Sequence, residues 1–137
     1  MAAIHGIAGE EFFYNKCIEN NLNIDRVNTW YDFEVEGHRV EIKSCRLAVA
    51  TGRAKEKRLC QGRYDFTKKY NRKTQYQENV WECFIIRCRD QFLIQGFCKS
   101  RDLNQKRYIS IVNAESFHLK SFQQFINIIT NKTTLCK

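Results

Sequence analysis

The sequence predicts one domain of mixed α/β class, in which helices cover a mixed β-sheet. Three observations predict this class: an apolar stripe at helical spacing near the start of the chain, alternating apolar and polar residues at 31–43, and an apolar run at 80–89. The alternation is typical of half-buried strands, and the apolar run is typical of a strand covered on both faces. No Gly-rich or Pro-rich stretch divides the 137 residues, so residues 1–137 are expected to form a single domain.

Residues 6–21 are predicted to form the first helix. Four residues at positions i, i+3, i+4 and i+7 define its inward stripe: Glu10, Phe13, Tyr14 and Cys17. A carboxylate on the packed side of a helix is costly without a partner, so Glu10 is a candidate functional residue. Glu11 falls outside the stripe and is expected to face solvent. The structural alternative for Glu10 is a favourable interaction with the positive end of the helix dipole.

A β-hairpin is predicted around Glu36–Gly37. If these residues form a two-residue turn, the facing pairs are Val35 with His38, Glu34 with Arg39, Phe33 with Val40 and Asp32 with Glu41. This register places Asp32, Glu41 and Lys43 on one face of the hairpin. Opposed carboxylates repel each other unless a cation lies between them, and a divalent metal ion held by Asp32 and Glu41 would provide that cation. A longer or non-primed turn would shift the register.

The remaining elements follow from the same patterns. A strand is expected to begin near Arg26 or Val27, and residues 53–63 are expected to form a polar loop. Phe66 and Tyr70, four residues apart, indicate a short helix. The second half is expected to contain a strand at Val80–Arg89, a turn at Asp90–Gln91, strands at Phe92–Phe97 and Tyr108–Val112, and a closing helix at Ala114–Ile129 that carries His118 as a packing or surface residue.

The net charge of +8 is concentrated in one segment. Residues 39–76 contain twelve Lys or Arg and three Asp or Glu, a balance of +9, whereas the rest of the chain has eleven against twelve, a balance of −1. One basic segment on an otherwise neutral chain indicates a face that binds nucleic acid, although a solvated lysine-rich loop is the structural alternative. The candidate phosphate-binding residues are Arg46, Arg53, Lys55, Lys57, Arg58, Arg63, Lys68, Lys69, Arg72 and Lys73, the last four on the outer face of the short helix.

Seven cysteines without a CxxC pair indicate reduced thiols in an intracellular protein of the cytoplasm or nucleoid. No apolar run is long enough to cross a membrane, so no membrane association is expected.

The order of the hairpin residues carries a family resemblance. Asp32, followed after eight residues by Glu41-Ile42-Lys43, resembles the motif of the PD-(D/E)xK nuclease superfamily, although Tyr31 stands where that family usually has Pro. Residues 6–10, Gly-Ile-Ala-Gly-Glu, resemble the Gly-x-x-Gly-Glu opening of many of these nucleases. The predicted element order is similar to their restriction-endonuclease-like αβββαβ core, here with a C-terminal closing helix. Small archaeal-type Holliday junction resolvases are of similar size, and homing and restriction endonucleases share the core.

The resemblance implies a metal-dependent endonuclease that hydrolyses DNA phosphodiester bonds as a homodimer, at four-way junctions or at specific sites. Asp32 and Glu41 would bind Mg²⁺ or Mn²⁺, with the Ile42 backbone carbonyl as a further ligand. Glu10 would hold a second metal ion, directly or through water. Lys43 would orient or deprotonate the attacking water. Gln61 lies where some relatives have a polar active-site residue.

Two other interpretations stay open. The chain could be a nucleic-acid-binding module that keeps the fold without turnover, which the intact Asp32, Glu41 and Lys43 argue against. It could also be a basic structural or assembly protein, in which case the spacing of these three residues is a coincidence.

Overall fold

The computed structural model describes the backbone of residues 2–49 and 59–131 and the side chains of residues 8–47 and 62–131. This part of the chain has four α-helices: α1 (Ala2–Glu19), α2 (Thr67–Asn71), α3 (Ile111–Ala114) and α4 (Phe122–Thr130). Its strands are β1 (Ile24–Arg26), β2 (Phe33–Val35), β3 (His38–Val49), β4 (Leu59–Gln61), β5 (Arg63–Asp65), β6 (Val80–Cys88), β7 (Gln91–Lys99) and β8 (Tyr108–Ser110). The predicted mixed α/β class is confirmed.

The main sheet has the strand order β1-β2-β3-β6-β7, and β4 pairs with the far end of β3. β3 and β6 are parallel, with Arg39 opposite Val80 at one end and Arg46 opposite Arg87 at the other. The other neighbours in this sheet are antiparallel. A parallel pair needs a long crossover connection, and here that connection carries β4, β5 and α2.

The prediction of a polar loop at 53–63 is wrong for the C-terminal end of that range. Residues 59–61 pair with the end of β3, and Arg63 begins β5, which forms a separate antiparallel sheet with β8. Residues 53–58 lie outside the described residues. The long β3 extends past its β2 partner, so its free backbone groups there are available for pairing with β4.

The hairpin register is confirmed for the three pairs from Val35–His38 to Phe33–Val40. Glu36 and Gly37 both have positive φ, 49° and 79°, as a primed two-residue turn requires. The Glu36 carboxylate accepts a hydrogen bond from Asn23 N–H at 2.7 Å, which fastens the turn to the chain before β1. The predicted pair of Asp32 with Glu41 is not part of the ladder, because Asp32 N–H donates to the Val40 carbonyl at 3.0 Å.

Two apolar cores cover the two faces of the main sheet, since successive strand residues point to opposite sides. The first packs α1 and α4 on the sheet, with the rings of Phe97 and Phe125 stacked at 4.0 Å. The second packs β5, β8 and the region around α2 on the opposite face, with Tyr64 edge-on to Phe84 at 4.7 Å. β6 is therefore buried on both sides along most of its length, as its apolar run predicted.

The prediction of one closing helix at Ala114–Ile129 is wrong for the first half of that range. The chain forms α3, a 3₁₀ turn at Glu115–Phe117 and then a left-handed residue, His118, with φ of 53°. α4 begins only at Phe122, where the Ser121 side chain caps the helix and Gln124 completes the capping box. His118 is thus an exposed residue in a bend and does not belong to the helical stripe.

The strand predictions in the second half differ from the structure at their ends. The turn lies at Arg89–Asp90, one residue earlier than predicted, and β7 continues to Lys99. The last strand, β8, ends at Ser110, and Val112 belongs to α3. No helix in the described ranges is long and apolar enough to cross a membrane.

Candidate active site

The predicted catalytic residues come together where α1, the start of β2 and the middle of β3 meet. Asp32 precedes β2, Glu41 and Lys43 lie on β3, and Glu10 lies on α1. The carboxyl group of Asp32 is close enough to the other three for each of them to affect its pKa. Asp32 therefore lies near the other three predicted residues, with Glu41 and Lys43 on one face of β3 and Glu10 on α1, which packs against the other face.

Asp32 is oriented by the strand that it faces. Its Oδ2 accepts a hydrogen bond of 2.7 Å from the Ile42 backbone N–H. Burial raises the pKa of Asp32 to about 7, although the Ile42 hydrogen bond opposes the shift and the charges of Glu10 and Glu41 add to it. A carboxyl group with this pKa is partly protonated near neutral pH, and a nearby cation would favour its ionised form.

α1 lies very close to β3 at the residue before Glu10. A Cβ on Gly9 would lie 2.1 Å from Ser44 Oγ, so a larger residue would force this hydroxyl to move. Glu10 is half-buried, and burial raises its pKa. Glu11 is exposed and forms an ion pair with Arg26 at 2.5 Å, which confirms the predicted phase of the helix.

Glu41 is buried between two lysines. Lys43 Nζ lies 3.4 Å from its Oε2, and Lys69 Nζ lies 3.1 Å from its Oε1. Burial alone raises the pKa of Glu41, but the charges of Lys43 and Lys69 outweigh burial and hold it below its ordinary value. Glu41 is therefore a buried carboxylate that stays ionised, which is the form that binds a cation.

Lys69 was predicted to lie on the outer face of the short helix, and this prediction is wrong. Its side chain is only 1% exposed and also pairs with Glu82 Oε2 at 3.1 Å. The indole ring of Trp30 covers the ammonium group at 4.1 Å. Lys69 therefore belongs to the interior of the site and is not available to a phosphate at the surface.

Glu82 is a buried residue of the site that the sequence analysis missed. It lies directly opposite Glu41 on the neighbouring parallel strand and is fully buried. Burial raises its pKa to about 8, with the Glu41 charge adding to the shift and Lys69 opposing it. A single carboxylate in the apolar run at 80–86 was the available signal, because a charge inside a strand covered on both faces needs a partner.

The remaining basic candidates lie around the site or outside the described residues. Lys68, Arg72 and Lys73 are exposed on and after α2, next to the buried Lys69. Arg46 and Arg63 are exposed at the end of β3 and on β5. For Gln61 the structure describes the backbone alone. Arg53, Lys55, Lys57 and Arg58 lie outside the described residues.

The oxygen donors at this point fit a hard divalent ion. Asp32 and Glu41 supply carboxylates, and Glu10 adds a third from the α1 side, while Glu41 Oε2 lies on the half-exposed side with Lys43. No group of three or more His, Cys, Asp or Glu side chains among the described residues is arranged as a preformed metal site. Mg²⁺ usually keeps several waters and takes one or two carboxylates, so Asp32 and Glu41 could supply the protein ligands without a third side chain.

Comparisons of the chain with models of known protein families, with curated proteins and with solved structures found no match.

Proposed function

We propose that the protein is a metal-dependent endonuclease that hydrolyses DNA phosphodiester bonds, acting on four-way junctions or on specific sites. The observation that carries the proposal is that Asp32, which accepts a hydrogen bond from the Ile42 N–H, lies near the Glu41–Lys43 ion pair of the same strand. A structural hairpin has no need to bring two carboxylates and a lysine together in a half-buried position, because such a group is costly to desolvate.

The topology supports the same proposal at the level of the fold. The order of α1, β1–β3, α2 and β6 is the order expected for a restriction-endonuclease-like αβββαβ core, with β4 and β5 before α2 and β7 after β6 as additions. The parallel pairing of β3 with β6 is the feature that sets this arrangement apart from a simple meander. α4 then closes the apolar face as the predicted C-terminal helix.

The proposed chemistry assigns a separate task to each side chain. Mg²⁺ or Mn²⁺ bound by Asp32, Glu41 and the Ile42 carbonyl would supply a Lewis acid and a more acidic bound water. Asp32 must lose its proton before it binds a cation, so cation affinity should rise with pH through about 7. Lys43 offsets negative charge on the scissile phosphate. Glu10 adds a carboxylate on the α1 side, suited to a second ion or to a bound water.

The exposed basic residues beside the site suit a nucleic-acid backbone. Lys68, Arg72 and Lys73 project from the same segment whose Lys69 touches Glu41. Contacts to phosphates position a substrate without reading its bases. A homodimer would offer one such site for each strand of a duplex, and this assembly is part of the proposal.

A cleavage assay tests the proposal directly. We expect the purified protein to cut duplex, four-way-junction or single-stranded DNA with Mg²⁺ and not with EDTA. Asp32→Asn should reduce turnover by at least about 100-fold while DNA binding persists, because it removes one ligand charge. Asp25→Asn, which changes an exposed carboxylate on β1, is the matched control and should retain activity. Full activity in the Asp32 variant would remove the assignment of the site.

The catalytically silent module is the second candidate. It is favoured by the same basic surface and would bind DNA without metal-dependent cleavage of any of the three substrates. The assembly interpretation would show neither binding nor cleavage.

A further inference from the structure

A buried polar cluster, made of Glu41, Lys69, Glu82 and Ser100, joins the proposed metal ligand to three other elements. Lys69 Nζ lies 3.1 Å from oxygens of both glutamates, and it donates to Ser100 Oγ at 3.4 Å. Ser100 in turn donates to Glu82 Oε2 at 2.5 Å. Lys69 of α2 therefore contacts Glu41 on β3, Glu82 on β6 and Ser100, the residue that follows β7.

Burying these charged and polar side chains carries a desolvation cost, so their presence indicates a role beyond stability. Glu41 and Glu82 face each other across parallel strands, and burying two carboxyl groups is costly unless both have partners. A lysine that is 1% exposed carries a further desolvation cost. A pair of apolar residues at 69 and 82 would avoid both costs, and it would leave Glu41 without a fixed neighbour on its inner side.

The geometry defines what Lys69 can do for Glu41. Lys43 approaches one carboxylate oxygen from the half-exposed side, and Lys69 holds the other oxygen from the interior. Lys43 is attached to a flexible chain near solvent, whereas Lys69 is confined by Ser100 and by the Trp30 ring. The rotamer of Glu41 is therefore set from the buried side.

We propose that Lys69 is a positioning residue that holds the Glu41 carboxylate in the orientation required to bind a divalent cation. The inference rests on the proposed function, since it concerns the same metal site. Under this proposal, Lys69 affects metal affinity and turnover and does not contact DNA. Loss of an outer partner of a metal ligand typically lowers metal affinity or activity 10- to 100-fold.

The test compares Lys69→Met with Lys68→Met, which removes the same charge from the exposed neighbouring residue. Mn²⁺ binding is measured from the electron paramagnetic resonance signal of the free ion, and kcat and KM are measured on the DNA that the wild type cleaves best. For Lys69→Met we expect Mn²⁺ affinity and kcat each to fall about 10- to 100-fold with little change in KM. For Lys68→Met, which removes a proposed phosphate contact, we expect unchanged Mn²⁺ affinity and weaker DNA binding, seen as a higher KM.

Each alternative outcome has a separate meaning. If the wild type binds Mn²⁺ and cleaves DNA but the Lys69 variant matches the Lys68 variant, the inference is overturned and the proposed function stands. A wild type that neither binds Mn²⁺ nor cleaves DNA overturns the proposed function, and the inference with it.

A second variant covers the case in which Lys69→Met fails to fold by circular dichroism. Ser100→Ala removes one hydroxyl that holds Lys69 and Glu82, and it changes the buried volume very little. We expect a several-fold loss of Mn²⁺ affinity with DNA affinity unchanged. Wild-type Mn²⁺ affinity in a folded Ser100→Ala protein would overturn the inference.

Discussion

The carboxyl group of Asp32 is buried, and burial disfavours its ionised form. Burial raises its pKa from an ordinary 3.8 to about 7. Between these two values the folded protein binds more protons than the unfolded chain, so the stability contributed by Asp32 falls as the pH rises through this window. A residue that ionises at a cost in the absence of a cation is typical of a site selected for binding and not for stability.

We therefore expect Asp32→Asn to stabilise the metal-free protein at pH 8, by on the order of 1–3 kcal/mol, and to change its stability little at pH 4. Urea unfolding at both pH values measures the difference. Asp25→Asn, on the exposed edge of β1, is the control and should show no comparable gain at pH 8. An equal effect of Asp32→Asn at both pH values would contradict the assigned cause.

Lys69 shows where prediction from sequence fails for single residues. Its neighbours in the chain are basic and polar, so local composition placed it on a solvated face. Its actual partners, Glu41 and Glu82, become close only through the parallel pairing of β3 and β6. The shared face of Glu41 and Lys43 on β3 was predictable, because a hairpin register can be derived from alternation and turn length. Asp32 lies just outside that register, because its N–H donates to the Val40 carbonyl.

At the scale of elements, the contact between α1 and β3 decides where Glu10 lies. Gly9 allows the close approach, and the half-buried Ser44 beneath it has an Oγ without a hydrogen-bond partner among the described residues. Alanine has a better helix propensity than glycine by about 1 kcal/mol, so the contact with Ser44 must outweigh this gain for glycine to be favoured.

We expect Gly9→Ala to destabilise the wild-type protein and to stabilise the Ser44→Ala protein by up to about 1 kcal/mol. The reason is that removing Oγ clears the atom 2.1 Å from the new Cβ and leaves Ser44 Cβ at 3.4 Å. A double-mutant cycle by thermal or urea unfolding gives the coupling energy. If Gly9→Ala has the same effect in both backgrounds, the tight contact does not explain the glycine.

The C-terminal half shows which signals predict an element boundary. The apolar spacing alone suggested a helix from Ala114, but the sequence also contains Ser121 followed three residues later by Gln124, a capping-box pattern that marks the true start of α4. β4 and β5 had no such local signal. Their pairing depends on distant strands, β3 and β8, and a polar stretch without alternation does not indicate these partners.

For the whole molecule, the basic residues of segment 39–76 fall into two groups, one in the interior and one on the surface. Residues 39–76 carry a balance of +9, but Lys69 is buried, and Lys43 is half-buried against Glu41. Lys68, Arg72 and Lys73 remain exposed beside the site. Composition could predict that this segment is strongly basic, but it could not tell which of its lysines are buried in the interior.

The exposed basic residues of this segment should make DNA binding depend on salt. Each phosphate that the protein neutralises releases condensed counterions, so DNA affinity should fall with salt with a log–log slope on the order of −4 to −8. Replacing Lys68, Arg72 and Lys73 together by Ser should make the slope shallower by about 2 to 3 and weaken binding to all sequences alike. Replacing Arg53, Lys55, Lys57 and Arg58 by Ser should have a similar or larger effect.

Fluorescence anisotropy of labelled duplex DNA at several salt concentrations measures these slopes. A protein with Lys16 and Lys120 changed to Ser loses two charges outside the segment and should keep the wild-type slope. Mn²⁺ affinity should be unaltered in all three variants. Of the changed residues, the structure describes Lys16, Lys68, Arg72, Lys73 and Lys120, and none of these five forms a hydrogen bond or ion pair with Asp32 or Glu41. Wild-type slopes in both segment variants would mean that the segment is a solvated surface, and the DNA-binding face would then lie elsewhere on the molecule.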